Sequence, residues 1–230
     1  MMRSVRWLWL CVFVAVTARA FAADEPVDMT IVALGDSITA GNPGFRSPSE
    51  FPPDGSGNES SQYEYWIMQR HPEWRVLNRG IGGQRSDEIL RRFNSDVLAV
   101  KPDVVILLAG INDLYQGRPP EHVITHLRQL AQQATDARVR VMLCTVLPFD
   151  GMSDHVAKGI ATVNDWIRDY TESHHLGYCD TFHAMEDPEQ RGTLISTDDG
   201  MHPDVDGYRR MGEAIAGCLE RWLGLAAVEG

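Results

Sequence analysis

The sequence is short of cysteine. Of its 230 residues only Cys11, Cys144, Cys179 and Cys218 are cysteines, with no Cys-x-x-Cys pair and no Cys/His spacing that fits a metal ion. That excludes a disulfide-stapled scaffold, and neither a metal nor an organic cofactor is expected. Basic residues are also scarce, 21 Lys and Arg against 32 Asp and Glu, which argues against nucleic acid or an anionic membrane as a partner. There is no internal repeat and no long low-complexity tract. The one markedly apolar run, Leu8 to Val16, falls short of the roughly 20 residues a spanning helix needs.

That run reads as part of a leader. Arg3 and Arg6 supply a positive start, and Ala20-Phe21-Ala22 gives the small-x-small pattern that signal peptidase cuts. The expectation is a signal peptide over residues 1–22, then a single domain over 23–230, secreted or periplasmic and without stable membrane insertion after cleavage. Losing Arg3, Arg6 and Arg19 leaves 18 basic against 32 acidic side chains, a formal charge of −14. Three cysteines then remain, so at most one internal disulfide can form.

Short apolar, β-branched runs recur at Met29 to Leu34, Arg75 to Leu77, Val104 to Leu108 and Val139 to Cys144, the pattern of buried parallel strands. Helical spacing lies between and after them, at Tyr63 to Arg70, Ser86 to Val100, Pro119 to Ala134, Asp154 to Ser173 and Asp204 to Leu223. This alternation predicts an α/β fold, a parallel sheet with helices on both faces. Ligand sites in such sheets lie beyond the carboxyl ends of the strands. The loops starting at Gly35, Asn78, Ala109 and Thr145 are therefore expected to share one crevice. The Pro- and Gly-rich segment Asn42 to Ser61 is too broken for helix or strand. It reads as a long loop walling that crevice, with Phe45, Arg46 and Phe51 as its candidate substrate contacts.

Ser37, in Gly35-Asp36-Ser37-Ile38-Thr39, follows the first strand where backbone N–H groups suit a developing oxyanion. Alone, Gly-Asp-Ser is as well explained by a turn and helix cap. A hydroxyl nucleophile needs a base, and Asp199-Gly200-Met201-His202-Pro203 offers one, because an Asp three residues before a His can fold back onto Nδ1 and leave Nε2 free. The other histidines lack such a setting: His71, His122, His126, His155 and His174 read as solvated helix residues, and His175 and His183 have no comparable partner pattern. Two further strand ends offer oxyanion donors, Asn78-Arg79-Gly80-Ile81-Gly82-Gly83 and Gly110-Ile111-Asn112-Asp113. Asp36 and Asp113 read as backbone hydrogen-bonding residues.

In their order and approximate spacing, GDSIT, NRGIGG, GIND and DGMHP resemble the four blocks of the GDSL, or SGNH, hydrolase family, with Asn164, Pro203, Gly207 and Tyr208 also similar to family positions. The resemblance implies a three-layer α/β/α sandwich with a short, flavodoxin-like parallel sheet. It implies a catalytic triad of Ser37, Asp199 and His202 and an oxyanion hole of the Ser37 and Gly83 N–H groups with the Asn112 side chain. Gly80 competes for the glycine role; Gly83 is preferred because the family's glycine lies about five residues past the Asn-x-Gly opening. Asp198 neighbours Asp199, but only Asp199 has the family's gap to the histidine. The insertion at Asn42 to Ser61 departs from compact family members and bears on specificity.

The function this implies is a secreted serine carboxylester hydrolase working through an acyl-enzyme, without metal or cofactor. Export, acidity and the want of a long apolar lid favour short acyl esters, such as acetyl esters of carbohydrates. The alternatives are a lysophospholipase or thioesterase of the same family, an O-acetyltransferase, and a noncatalytic carbohydrate-binding protein on the same fold.

Overall fold

A computed structural model describes residues 28–225, so the expected signal peptide lies outside the described residues. Five strands form one parallel sheet: β1 (Met29–Gly35), β4 (Trp74–Gly80), β5 (Val104–Leu108), β6 (Arg140–Cys144) and β7 (Gly177–Cys179), in the order β4-β1-β5-β6-β7. Every residue of β5 is buried, as are Ile31 to Gly35 of β1, which is why these strands read as unbroken apolar runs.

The chain leaves β1 for one edge and returns past it towards the other, so right-handed crossovers place successive helices on opposite faces. The helices α2 (Tyr63–Arg70) and α8 (Val205–Leu223) pack together, with α7 (Thr181–Met185) against α8. On the other side α5 (Pro120–Asp136) contacts both α3 (Ser86–Arg91) and α6 (Asp154–His174). This is the expected three-layer α/β/α arrangement. The topological switch falls between β1 and β5, where such folds keep their ligand crevice. Pairing aligns Gly35 with Gly80 on one side and with Leu108 on the other, so the loops after β1, β4 and β5 emerge at one level.

Several elements differ from expectation. Strand β4 runs on through Asn78, Arg79 and Gly80, so the glycine-rich loop begins only at Ile81. The helix expected over Ser86 to Val100 stops at Arg91 and resumes as a π-helical turn over Asn94–Leu98, where Ala99 N–H donates to Asn94 O. This widening coincides with Arg92 reaching sideways to two strand ends. The segment 42–61 contains a two-residue hairpin, β2 (Phe45–Arg46) with β3 (Ser56–Gly57). Short elements without a readable period were missed: β7, α7, α1 (Ser37–Ala40) and α4 (Ile111–Tyr115).

Cys179 of β7 and Cys218 of α8 form a disulfide, with Cα atoms 5.6 Å apart. Cys144 is free and buried, and burial pushes its thiol up to about 12. Among the described residues no helix is long and apolar enough to cross a membrane.

Candidate active site

Ser37 begins α1, capped by the Asp36 carboxylate, whose Oδ1 accepts from Ile38 N–H at 3.1 Å. The Cα of Ser37 lies two residues past the carboxyl end of β1, and the residue is 7% exposed. His202 arrives from the loop before α8, and its Nε2 stands 3.0 Å from Ser37 Oγ. On the far side of the ring, Nδ1 lies 2.8 Å from Asp199 Oδ2. The structure thus brings Ser37, His202 and Asp199 into one hydrogen-bonded line.

Asp199 is held by more than the imidazole. Its Oδ1 accepts the backbone N–H groups of Met201 at 2.8 Å and His202 at 2.7 Å, folding the four residues back on themselves. Partial burial works against the charge, but the bonds from His202 and Met201 outweigh it and hold the carboxyl down to about 2. Asp198 is exposed, and its side chain makes no hydrogen bond among the described residues; of the two neighbours, Asp199 is the one joined to His202. Thr197 closes the loop: its hydroxyl donates to His202 O at 2.6 Å and accepts from Gly200 N–H at 2.9 Å.

The glycine turn after β4 separates its candidates by how each N–H is used. Gly80 N–H donates to Asn78 Oδ1 and Gly82 N–H to Glu50 Oε1, at 2.9 and 2.8 Å. Gly80 is also required for packing, since a Cβ there would come within 2.0 Å of Ala40 N. Gly83 is exposed, has φ +72, and its N–H has no acceptor among the described residues. Asn112 lies beside it, donating one side-chain N–H to Gln84 O at 3.0 Å and keeping the other.

The sequence matches the GDSL-like Lipase/Acylhydrolase family over residues 33–210. The chain belongs to this family, one of ester-hydrolysing enzymes. An acetylxylan esterase of Geobacillus stearothermophilus is 34% identical over 90 residues, 37% of this chain and 40% of that protein, so the match spans less than half the relative's length. An arylesterase of Vibrio mimicus is 21% identical over 219 residues, 95% of this chain and 100% of that one. A solved GDSL-family protein from Desulfitobacterium hafniense DCB-2 superposes with a TM-score of 0.70 at 25% identity, covering 84% of this chain and 100% of its own.

In this GDSL-family chain the insertion 42–61 is bound to the site. Ser47 Oγ donates to Gly80 O at 2.5 Å, Glu50 takes the Gly82 N–H, and Tyr208 of α8 donates to Asn42 O at 2.7 Å. Its candidate contacts divide. Phe45 is buried between Gly41 and Gly55, inside the loop's own hairpin, and so stiffens the loop from within; Arg46 is exposed and Phe51 is 53% exposed.

Further residues hold the site; Arg92 carries no signal in the sequence, whereas Asp113 does bind backbone as expected. Arg92 donates to both Gly35 O and Arg79 O. Asp113 accepts Ser86 N–H and Oγ, at 2.8 and 2.9 Å, joining the loops after β4 and β5, while His126 Nδ1 lies 2.9 Å from Ser86 Oγ. His126 is thus no free surface residue, and burial lowers its basicity first, with His122 adding to the effect. His71 is likewise engaged, between Glu73 and Glu220 and stacked on Trp74. His183 does have a partner pattern: Asp180 precedes it by three, with Nδ1 2.7 Å from Oδ2, the spacing of Asp199 and His202. No hydroxyl meets its Nε2 among the described residues. Asn164, on α6, pairs with both the N–H and the carbonyl of Val146. No group of three or more potential metal ligands occurs among the described residues.

Proposed function

We propose that this protein is an exported serine ester hydrolase, with Ser37 as nucleophile, His202 as general base and Asp199 as the acid that orients it. The observation that carries the reading is the continuous line from Asp199 Oδ2 through His202 to Ser37 Oγ, at 2.8 and 3.0 Å.

In the first half-reaction His202 Nε2 takes the Ser37 proton as Oγ bonds to the ester carbonyl carbon. The carbonyl electron pair moves onto oxygen, facing the N–H groups of Ser37 and Gly83 and the side-chain amide of Asn112. His202 then gives its proton to the leaving alcohol oxygen as the C–O bond breaks, and an acyl-serine remains. Water repeats the sequence, releasing the carboxylic acid and restoring Ser37. Asp199 holds Nδ1–H throughout and stabilises the imidazolium without taking its proton. Because α1 is only four residues long, individual N–H groups rather than a helix dipole supply the stabilisation.

The favoured substrates are short acyl esters of carbohydrates. The similarity to an acetylxylan esterase supports this, as do the acidic surface and an insertion stitched to the glycine turn rather than forming an apolar lid. The longer alignment, with an arylesterase, favours simple aryl esters as the second reading. The Cys179–Cys218 disulfide supports export to an oxidising compartment, as the leader over residues 1–22 suggests, with residues 23–230 as one domain.

The test is hydrolysis of a p-nitrophenyl ester series, acetyl through long-chain, and of an acetylated xylo-oligosaccharide, by wild type and Ser37→Ala. Activity that falls steeply beyond butyryl, acts on the oligosaccharide and vanishes in the variant is expected. Preference for long chains removes the carbohydrate reading, and equal activity in both proteins removes Ser37 as nucleophile.

A further inference from the structure

A cavity of 280 Å³, separate from Ser37 and His202, lies among α6, β7 and α7. Its apolar surface includes the rings of Tyr178 and Phe182, and its polar groups include Asp165, Arg168, Asp180 and His183. We infer that this cavity is a second, noncatalytic subsite for an uncharged sugar unit of the substrate chain; the inference rests on the carbohydrate-ester reading above.

Charge selects the ligand. Arg168 is already paired with Asp165 at 2.9 Å and Asp169 at 3.1 Å, so an anion meets a neutralised cation flanked by carboxylates. A cation finds the Asp165 carboxylate paired with Arg168 and the Asp180 carboxylate engaged by His183 and Thr145. A neutral polyhydroxylated ring suits the cavity better, since it can accept from Arg168 and donate to the carboxylates while its C–H face lies on the two rings.

His183 is prepared for the same task. Asp180 accepts both its backbone N–H and its Nδ1, at 3.1 and 2.7 Å, leaving Nε2 turned away on a side chain that is 65% exposed. Arg168 and Asp165 are also more than half exposed, whereas Tyr178 and Phe182 are half-buried. The volume sits just below the ~300–1,000 Å³ of pockets for drug-sized ligands, a scale suited to a single sugar ring.

The cavity also adjoins the loops that carry the base. Its wall includes Met152 and Gly192. Between these two segments Asp150 accepts Leu194 N–H at 3.1 Å, and Asp150 N–H donates to Gly200 O at 2.7 Å, one residue from Asp199. A chain bound here is therefore anchored beside the loop that presents His202.

Two variants outside the proposed chemistry, Phe182→Ala and Arg168→Ala, test this in the full-length protein, each checked for an unchanged fold by circular dichroism and thermal melting. The first readout is calorimetric binding of an unacetylated, neutral xylo-oligosaccharide, which contains no ester and so is independent of Ser37. We expect binding to wild type that weakens about tenfold or more in both variants. The second readout is kcat/KM, expected to fall on acetylated oligosaccharide and to stay within about twofold of wild type on p-nitrophenyl acetate. Absence of binding to wild type, binding undiminished in both variants, or equal losses on both substrates overturns the subsite. No ester hydrolysis by the wild-type protein, with oligosaccharide binding intact and weakened in both variants, counts instead against the esterase reading and leaves the subsite standing.

Discussion

The guanidinium of Arg92 donates at 2.7 Å to the carbonyl oxygens of both Gly35 and Arg79, clasping the carboxyl ends of β1 and β4 just below Ser37 and the glycine turn. Strand ends lose ladder partners where the chain turns away, and here one partly buried cation donates to two such carbonyls and pairs with Asp96, while Gly35 O also accepts the Ile81 N–H. Arg92→Met removes the guanidinium from both carbonyls and from Asp96, leaving Gly35 O with the Ile81 N–H alone and Asp96 with the Ser95 hydroxyl. We expect a loss of about 2–4 kcal/mol in denaturant unfolding. The turnover of folded protein should fall with little change in KM. Unchanged stability contradicts the clasp.

Asp36 is fully buried, and that burial raises its carboxyl from the usual 3.8 to about 7, opposed mainly by the bond from Ile38 N–H and by Arg92, with Asp113 adding to the rise. The folded state thus holds this proton more tightly than the unfolded chain. The contribution of Asp36 to stability is most favourable while it is protonated, declines as pH rises from about 4 to about 7, and is level above that. Asp36→Asn keeps an oxygen for the cap and removes the ionisation, so it should flatten this part of the stability profile and gain on the order of a few kcal/mol at pH 8. Urea titrations of both proteins from pH 4 to 8 give the comparison; parallel profiles sink the assignment.

Asp199 behaves in the opposite sense. With its carboxyl held to about 2, it stays charged down to that pH, and its stabilising contribution is lost only as pH falls from about 4 through 2. Any acid limb of activity lying above pH 4 therefore belongs to another group. Asp199→Asn should lower kcat by about a thousandfold or more while leaving KM nearly unchanged. A variant with wild-type turnover removes Asp199 from the mechanism.

Glu50 binds the N–H of Gly82, next to the N–H of Gly83 proposed for the oxyanion. Glu50→Gln retains an acceptor and Glu50→Ala does not. We expect the glutamine variant to keep most of its kcat and the alanine variant to lose about tenfold or more. Equal effects of the two show that the turn does not depend on this bond. By comparison, Asn112→Ala, which removes a proposed direct donor, should cost about a hundred- to thousandfold in kcat.

The disulfide between Cys179 and Cys218 closes a loop of 39 residues and fixes α8 to the edge strand. Its removal in Cys179→Ser/Cys218→Ser should lower stability by about 3–4 kcal/mol on a chain-entropy basis. Reductant should then have no further effect on the melting temperature of that variant. A wild-type melting temperature insensitive to reductant contradicts the bond's contribution.

The layered fold was legible because buried strands such as Val104–Leu108 are apolar throughout and long helices such as Pro120–Asp136 keep one apolar face. The Asp199–His202 pairing was legible because a fold-back of Asp onto His is local, set by a three-residue spacing, whereas Ser37, 165 residues from His202, was singled out by the order of the four family-like blocks. The same pattern at Asp180 and His183 shows the limit of spacing alone, since only the tertiary fold decides which imidazole meets a hydroxyl. Arg92, Ser47 and Glu50 were illegible for the same reason: each acts on backbone groups from 13 to 57 residues away, and no local pattern encodes such a pairing. The short strand Gly177–Cys179 has too few residues to display a period.

In the proposed mechanism the Ser37 hydroxyl, activated by His202, is the atom that becomes acylated. Treating the protein with an alkyl fluorophosphonate and locating the adduct by peptide mass spectrometry tests it most directly. One adduct per chain is expected, on the peptide containing Ser37, forming in step with the loss of ester hydrolysis, absent from Ser37→Ala and strongly slowed in His202→Ala. Stoichiometric labelling of another residue, or hydrolysis that survives complete labelling of Ser37, would contradict it.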